Sequence, residues 1–398
     1  MGSEVHTTIR LVPLGAKLAL LSLALVACTG GTSGRPSQAA EDGDAGGPSA
    51  GAETSPSLQP PVVDPDEIIS GGPPPDGIPP IDDPEFLAVE RVSFLDPNEP
   101  VLAVEVGETA KAYPIRILMW HEIVNDRFGD LPVVVTYCPL CNTGIAFERP
   151  VIDGELLDFG TSGKLYHSNL VMYDRQTGTY WAQATGQAIV GPLVREQLVF
   201  VPARLLSWAD WQTAHPDGLV LSTETGVQRD YGANPYVGYE GTESPFLFVG
   251  DPDPRLPATA HVLGIADGEA FLAVPFDELG SAQVGGWAAA NVEVGGADLA
   301  VFWKAGTSSA LDAGTVSGGR DVGAAAAYVP RAGGDRLTFR ADADGIVDDQ
   351  TGSTWSITGE ALTGPLAGTQ LSVAVAIDSF WFDWAAFHPE TEIWRADG

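Results

Sequence analysis

Y-D-R-Q-T-G-T-Y-W at residues 173–181 is answered by V-D-D-Q-T-G-S-T-W at 347–355. Each reads as two short strands around a glycine turn, with a tryptophan suited to a core. The correspondence continues outward. T-G-Q-A-I-V-G-P-L (185–193) faces T-G-E-A-L-T-G-P-L (358–366), and W-A-D-W-Q-T-A-H-P (208–216) faces W-F-D-W-A-A-F-H-P (381–389). Towards the N-terminus, P-V-L-A-V-E-V-G-E-T-A-K-A-Y-P (100–114) faces A-H-V-L-G-I-A-D-G-E-A-F-L-A-V-P (260–275). Matched blocks in the same order indicate a duplication. The first repeat, with an aromatic, Pro-rich connector, is expected over 86–250 and the second over 251–398.

Local patterns predict a mainly β, α+β chain with a few short helices per repeat. V-L-A-V-E-V (101–106), P-V-V-V-T-Y-C (132–138), T-G-I-A-F-E-R (143–149), L-L-D-F (156–159) and N-L-V-M-Y-D (169–174) are β-rich and bounded by turn residues. R-I-L-M-W-H-E-I-V-N (116–125) reads as a helix. The W-x-D-W-x-x-x-H-P segments read as short helices stopped before Pro216 and Pro389, so His215 and His388 are expected to cap or pack. D-A-D-G-I-V-D-D (342–349) lacks the spacing of a calcium loop and reads as a solvated acidic turn.

What both repeats keep is framework; what one alone has is a candidate site. An ungapped pairing of Asn125 with Asn291 sets Cys138 on Lys304, Cys141 near Gly306 and His121 near Trp287. G-K-L-Y-H-S-N-L (163–170) is mostly missing from the second repeat, where R-A-D-A-D-G-I (340–346) bridges a shorter gap. Only the first repeat holds the cysteine pair, His121 and His167, so the second reads as a degenerate copy supporting it.

The N-terminus sets the compartment. Arg10 and Lys17 precede L-A-L-L-S-L-A-L-V-A (18–27), the length of a signal-peptide core and too short to span a bilayer. It ends in L-V-A-C, a lipobox-like pattern that makes 1–27 a lipoprotein signal peptide and Cys28 the lipidated residue. The following Gly, Pro, Ser and acidic residues, 28–85, are expected to be a disordered tether. The body is then exported, anchored to a membrane through Cys28, and faces the periplasm or cell exterior. A formal charge of −33 at pH 7 argues against nucleic acid or an anionic membrane surface as a partner. No G-x-S-x-G, H-E-x-x-H or phosphate-binding loop is present, so no nucleotide cofactor is expected.

C-P-L-C (138–141) then has several readings. A bridge closing so short a loop removes little unfolded-state entropy. As a chelate, Cys138 and Cys141 could bind copper or zinc with His121 and His167, while Glu122, Asn125 and Thr143 orient the ligands from behind. As a redox pair, Cys138 would attack and Cys141 resolve. The metal reading is preferred, because the β-rich setting lacks a thioredoxin βαβ pattern. A third reading makes the chain a non-catalytic interaction module presenting the aromatic connector (231–239).

Y-P-I-R-I-L-M-W-H-E-I-V-N-D, V-T-Y-C-P-L-C-N-T-G-I-A-F-E-R, G-K-L-Y-H-S-N-L-V-M-Y-D-R-Q-T-G-T-Y-W-A-Q and Y-G-A-N-P-Y-V-G-Y together resemble the bacterial and archaeal domain-of-unknown-function 3179 family. The resemblance runs from about Val101 to the connector, and more loosely through the second repeat. It implies a secreted or lipid-anchored protein and sets recurrent family elements on His121, Glu122, Asn125, Cys138, Cys141 and Thr143. The family pattern has Asn where this chain has His167, so the resemblance does not imply that histidine as a ligand.

Overall fold

A computed structural model describes residues 59–396, and the duplication is carried element by element. The described residues form many short strands and four short α-helices: α1 (Ile115–His121), α2 (Trp208–Ala214), α3 (Phe276–Ser281) and α4 (Trp381–Phe387). The fold is mainly β, an α+β arrangement.

Each repeat opens on a hairpin, Pro100–Val106 with Thr109–Pro114 and His261–Asp267 with Ala270–Pro275. Both turns place a glycine at positive φ, Gly107 at 59° and Gly268 at 60°, where a side chain would be strained. The hairpin leads into α1 or α3 and then a second sheet. In the first repeat that sheet holds Ile123–Phe128, Leu131–Cys138 and Thr143–Glu148, edged by Phe200–Val201; in the second it holds Trp287–Val294, Ala297–Lys304 and Ala324–Tyr328. A third sheet is built on the hairpin Phe159–Tyr166/Asn169–Asp174, or its shorter counterpart Phe339–Asp342/Gly345–Asp348. A closing strand, Ala203–Ser207 or Ile377–Phe380, then pairs antiparallel with the opening hairpin before α2 or α4.

Shared side chains explain the repeat. Asn125 receives the Phe159 N–H and donates to its carbonyl; Asn291 does the same to Phe339, so each ties the second sheet to the third. The indoles of Trp181 and Trp355, both fully buried, donate at 3.0 Å to Asp174 and Asp348, which also hold the D-x-Q-T-G turns through Thr177 and Thr351. His215 packs on Trp211, and His388 between Trp384 and Phe271, as their helix-end positions imply.

The halves exchange their helical ends. Phe380 and Phe382 join the core of the first repeat, while Leu206, Trp208 and Trp211 join a core with Phe302, Tyr328 and Trp355 of the second. The Phe380 N–H donates to the Cys141 carbonyl, and Lys304 pairs with Asp210. These two cores are therefore each completed by residues of the other repeat, so separating the halves would expose apolar surface on both.

Three expectations need correction. The predicted helix over 116–125 stops at His121: Glu122 takes a left-handed conformation, φ 60°, its N–H closing on the Leu118 carbonyl, and the chain becomes strand at Ile123. L-L-D-F does not form one strand but divides between Glu155–Leu156 and Phe159–Tyr166. The tether does not reach residue 85. Ile69–Ser70 pairs with Leu165 and Lys164, Asp76 bonds Tyr173 and Arg175, and Ile81 enters the core, so prolines and acidic residues here cover a sheet rather than a linker. Residues 1–58, with Cys28, lie outside the described residues. Among the described residues, no helix is long and apolar enough to cross a membrane.

Candidate functional site

The central strand of the first repeat ends at Cys138, which pairs with Thr143 across the C-P-L-C-N turn. The turn closes through Cys141 N–H to the Cys138 carbonyl at 3.2 Å, with Asn142 at φ 52°. Asn142 is pinned on both sides: its carbonyl oxygen accepts from Tyr137 and its amide donates to Asp378. Both cysteines are free and buried. Their sulfurs converge on one acceptor, 3.9 and 3.5 Å from the Ser168 carbonyl.

That carbonyl is delivered by sequence the second repeat lacks. The hairpin Phe159–Tyr166/Asn169–Asp174 turns at His167 and Ser168, at φ 52° and 69°, and its extra length brings the tip over the cysteines. Ser168 also donates to the Phe246 carbonyl at 2.6 Å, fastening the connector beside them. At Gly163, φ 69°, any Cβ would collide with the Pro73 carbonyl, so the N-terminal segment can cross here only over glycine.

These segments enclose a cleft of about 500 Å³. Cys138 and Glu122 line it, facing Tyr236 and Tyr239 of the connector, with apolar walls from Ile78, Leu140, Leu165 and Phe246 and one cationic residue, Lys164. Cys141 is not among the lining residues; it lies behind Cys138. Behind it α4 contributes Asp383, which accepts from Thr143 at 3.1 Å, Ser379 at 2.9 Å and Asn169 at 3.0 Å and stands near enough to Cys141 for each to shift the other's proton affinity.

Burial dominates the electrostatics. It pushes the Cys141 thiol well above its ordinary value, helped by hydrogen bonding with Cys138 and the nearby Asp383 charge. It raises Asp383 to about 6 against the opposing hydrogen bonds from Cys141, Ser379, Thr143 and Asn169. It raises Glu122 to about 8 with no other contribution. Tyr236 is pushed up by burial, then by the charges of Glu122 and Cys138. Neutral forms are favoured throughout.

The residues singled out from the sequence divide sharply. Cys138, Cys141 and Thr143 meet. His121 is turned away: Nδ1 bonds the Pro79 carbonyl at 2.7 Å and Nε2 the Tyr231 hydroxyl at 2.5 Å, so both ring nitrogens are engaged. His167 packs among Tyr166, Phe248 and Phe387. Neither histidine joins the cysteines, and among the described residues no group of three or more His, Cys, Asp or Glu is arranged to hold an ion. Asn125 locks Phe159 rather than orienting His121, and Glu122 faces the cleft rather than the imidazole. His121 corresponds to the end of α3 rather than to Trp287, because the loop after α3 is longer than its counterpart.

Asp383 and Ser168 are not marked as site residues by the sequence, and Tyr239 is marked only as part of the aromatic connector. Asp383 carried a misleading signal: its W-x-D-W block is shared with Asp210, which marked it as framework.

A model of the family described as Protein of unknown function (DUF3179) matches residues 75–391. The chain belongs to that family. The DUF3179 match begins within the segment that packs on the first repeat and takes in both repeats, so the family unit includes the cleft except for its Gly71 and Pro73 edge, together with the α4 carboxylate behind it. No curated protein and no solved structure matches the chain.

Proposed function

We propose that the C-P-L-C site of this DUF3179 protein carries out dithiol–disulfide exchange, in an exported protein anchored through Cys28. One observation carries the reading: two free thiols lie side by side, Cys138 on the cleft and Cys141 behind it beside a buried carboxylate. Exchange needs one accessible attacking sulfur and one protected resolving sulfur. Cys138 attacks a substrate disulfide, forming a mixed disulfide and releasing one thiol. Cys141 gives its proton to Asp383 and attacks the Cys138 sulfur, releasing the second thiol and closing Cys138–Cys141. Two electrons pass from the dithiol to the substrate disulfide, and the reverse sequence oxidises a substrate dithiol. The carboxylate matters because the thiolate is the nucleophile, and burial opposes its formation at Cys141.

A soft-metal site is the second reading, favoured by the convergence of both sulfurs on the Ser168 carbonyl. Copper(I) suits such a donor set better than zinc, because two thiolates satisfy it while zinc takes four ligands and both histidines are engaged elsewhere.

Elemental analysis with thiol titration on exported protein purified without chelator, compared with Cys138→Ser, separates the two. The exchange reading expects metal-free protein whose two thiols are interconvertible with a disulfide. Near-stoichiometric copper lost in the variant would replace it with the metal reading. Cys28→Ser is expected to move the protein from the membrane to the soluble exported fraction; unchanged membrane retention would remove the anchor.

A further inference from the structure

Glu122 is the unexplained group of the cleft. It is 8 % exposed, stands in a left-handed conformation that glycine or asparagine would adopt more readily, and its carboxyl makes no hydrogen bond or ion pair among the described residues. Its main chain is well used: the N–H closes α1 and the carbonyl accepts the Tyr137 N–H, fixing Glu122 beside the end of the cysteine strand. The side chain opens into the cleft that Cys138 lines, and Tyr236 feels both. With no protein partner fixed to it, that carboxyl is free to exchange a proton with a group held in the cleft.

We infer that Glu122 relays the Cys138 proton: it protonates the thiolate departing from an uncharged disulfide in the apolar cleft and is recharged by the next Cys138 thiol. The inference rests on the exchange reading above. In balance, the protonated Glu122 gives its proton to the leaving sulfur as the Cys138–substrate bond forms and the substrate S–S bond breaks. The resulting carboxylate later takes the proton of a free Cys138 thiol. The geometry places both groups on one cleft, and burial, which raises Glu122 to about 8, lets its carboxyl hold at neutral pH the proton that the relay delivers. An unshifted carboxyl would be far too acidic.

The titratable groups facing the cleft are Glu122 and Cys138 themselves, Lys164 from the hairpin, and Tyr236 and Tyr239 from the connector; Cys141 and Asp383 stand behind. Asp383, at about 6, titrates below Glu122, and because the reacting Cys138 thiol faces the same cleft, an inflection is assigned to Glu122 only where Glu122→Gln removes it.

The test uses two neutral disulfides with the full chain. Bis(2-hydroxyethyl) disulfide leaves as a basic alkylthiolate that needs a proton; dipyridyl disulfide leaves as a stabilised anion that does not. Glu122→Gln is expected to slow mixed-disulfide formation with the alkyl reagent by about 100-fold, flattening its pH profile near 8, and to change the aromatic reaction only several-fold. Glu122→Gly, whose residue suits the left-handed backbone, should give the same split, separating lost chemistry from poor folding. Equal slowing of both reagents, or no slowing of either, would overturn the relay. If the wild-type protein forms no Cys138–Cys141 disulfide with either reagent, the exchange reading falls and the relay with it; closure with an unchanged Glu122→Gln profile removes the relay alone.

Discussion

Two strand ends occupy matching places in the duplication and do different things. At the end of Leu131–Cys138 stand two buried thiols, the Ser168 carbonyl, a cleft, and Asp383 reaching in from α4. At the end of Ala297–Lys304 stands one amine, 29 % exposed, paired with Asp210 of α2. Each end receives the aspartate of the other repeat's helix, so the crossing of helices is framework and the chemistry is local. Two additions distinguish the first end. Its hairpin strand runs eight residues where the counterpart runs four, and the connector covers it with Tyr236 and Tyr239. An aspartate that is half of an ordinary ion pair in one repeat becomes, in the other, a buried carboxylate beside a thiol.

That comparison can be broken or sharpened in descending order of effect. Trp181→Ala and Trp355→Ala remove equivalent buried indoles that each hold a turn aspartate, and each should cost about 3–5 kcal/mol in chemical denaturation. Very unequal losses would show that the halves do not share one framework. Asp383→Asn should slow closure of the Cys138–Cys141 disulfide by about 100-fold in stopped-flow quench assays, whereas Asp210→Asn should leave it unchanged.

Asn125→Ala strips two backbone groups of a buried partner and should cost about 2 kcal/mol, while the matching Asn291→Ala, at an exposed asparagine, should cost less, and both should leave thiol reactivity intact. A selective loss of reactivity in Asn125→Ala would return that residue to the site. For Glu122, the folded carboxyl value of about 8 lies above the ordinary 4.5, so the unfolded chain releases its proton first. Its contribution is therefore harmless below the unfolded value and erodes stability as pH rises towards 8, by about 1.4 kcal/mol per unit. Glu122→Gln should flatten the fall in melting temperature over that window, while Asp210→Asn, at a partly exposed pair, should shift stability by less than about 1 kcal/mol.

Much of the framework was legible because repetition is visible wherever a turn or core demands particular residues. The D-x-Q-T-G-x-x-W blocks exposed both hairpins and their tryptophans, and the missing G-K-L-Y-H-S-N-L counterpart exposed the longer hairpin. The cysteine pair was legible as a feature unique to one half. The rest was hidden by geometry acting over long separations. His121 lies just before the cysteine strand in sequence, but the left-handed Glu122 reverses the chain and turns the imidazole towards Pro79 and Tyr231. Glu122 then takes the cleft-facing place. Asp383 is concealed because sharing marks a residue as framework, whereas α4 carries its shared aspartate across to the other repeat. Prolines and acidic residues before position 85 looked like linker because nothing local shows that Asp76 meets Arg175 or that Ile81 enters the core.

The most direct measurement is mass analysis of residues 138–141 after the wild-type chain is equilibrated across a graded thiol–disulfide buffer and quenched with acid. The exchange account expects a reversible loss of two hydrogens confined to that peptide, with Cys138 alone alkylated in the reduced native protein. Thiols that stay unpaired across the whole range, or Cys141 reacting before Cys138, would contradict it.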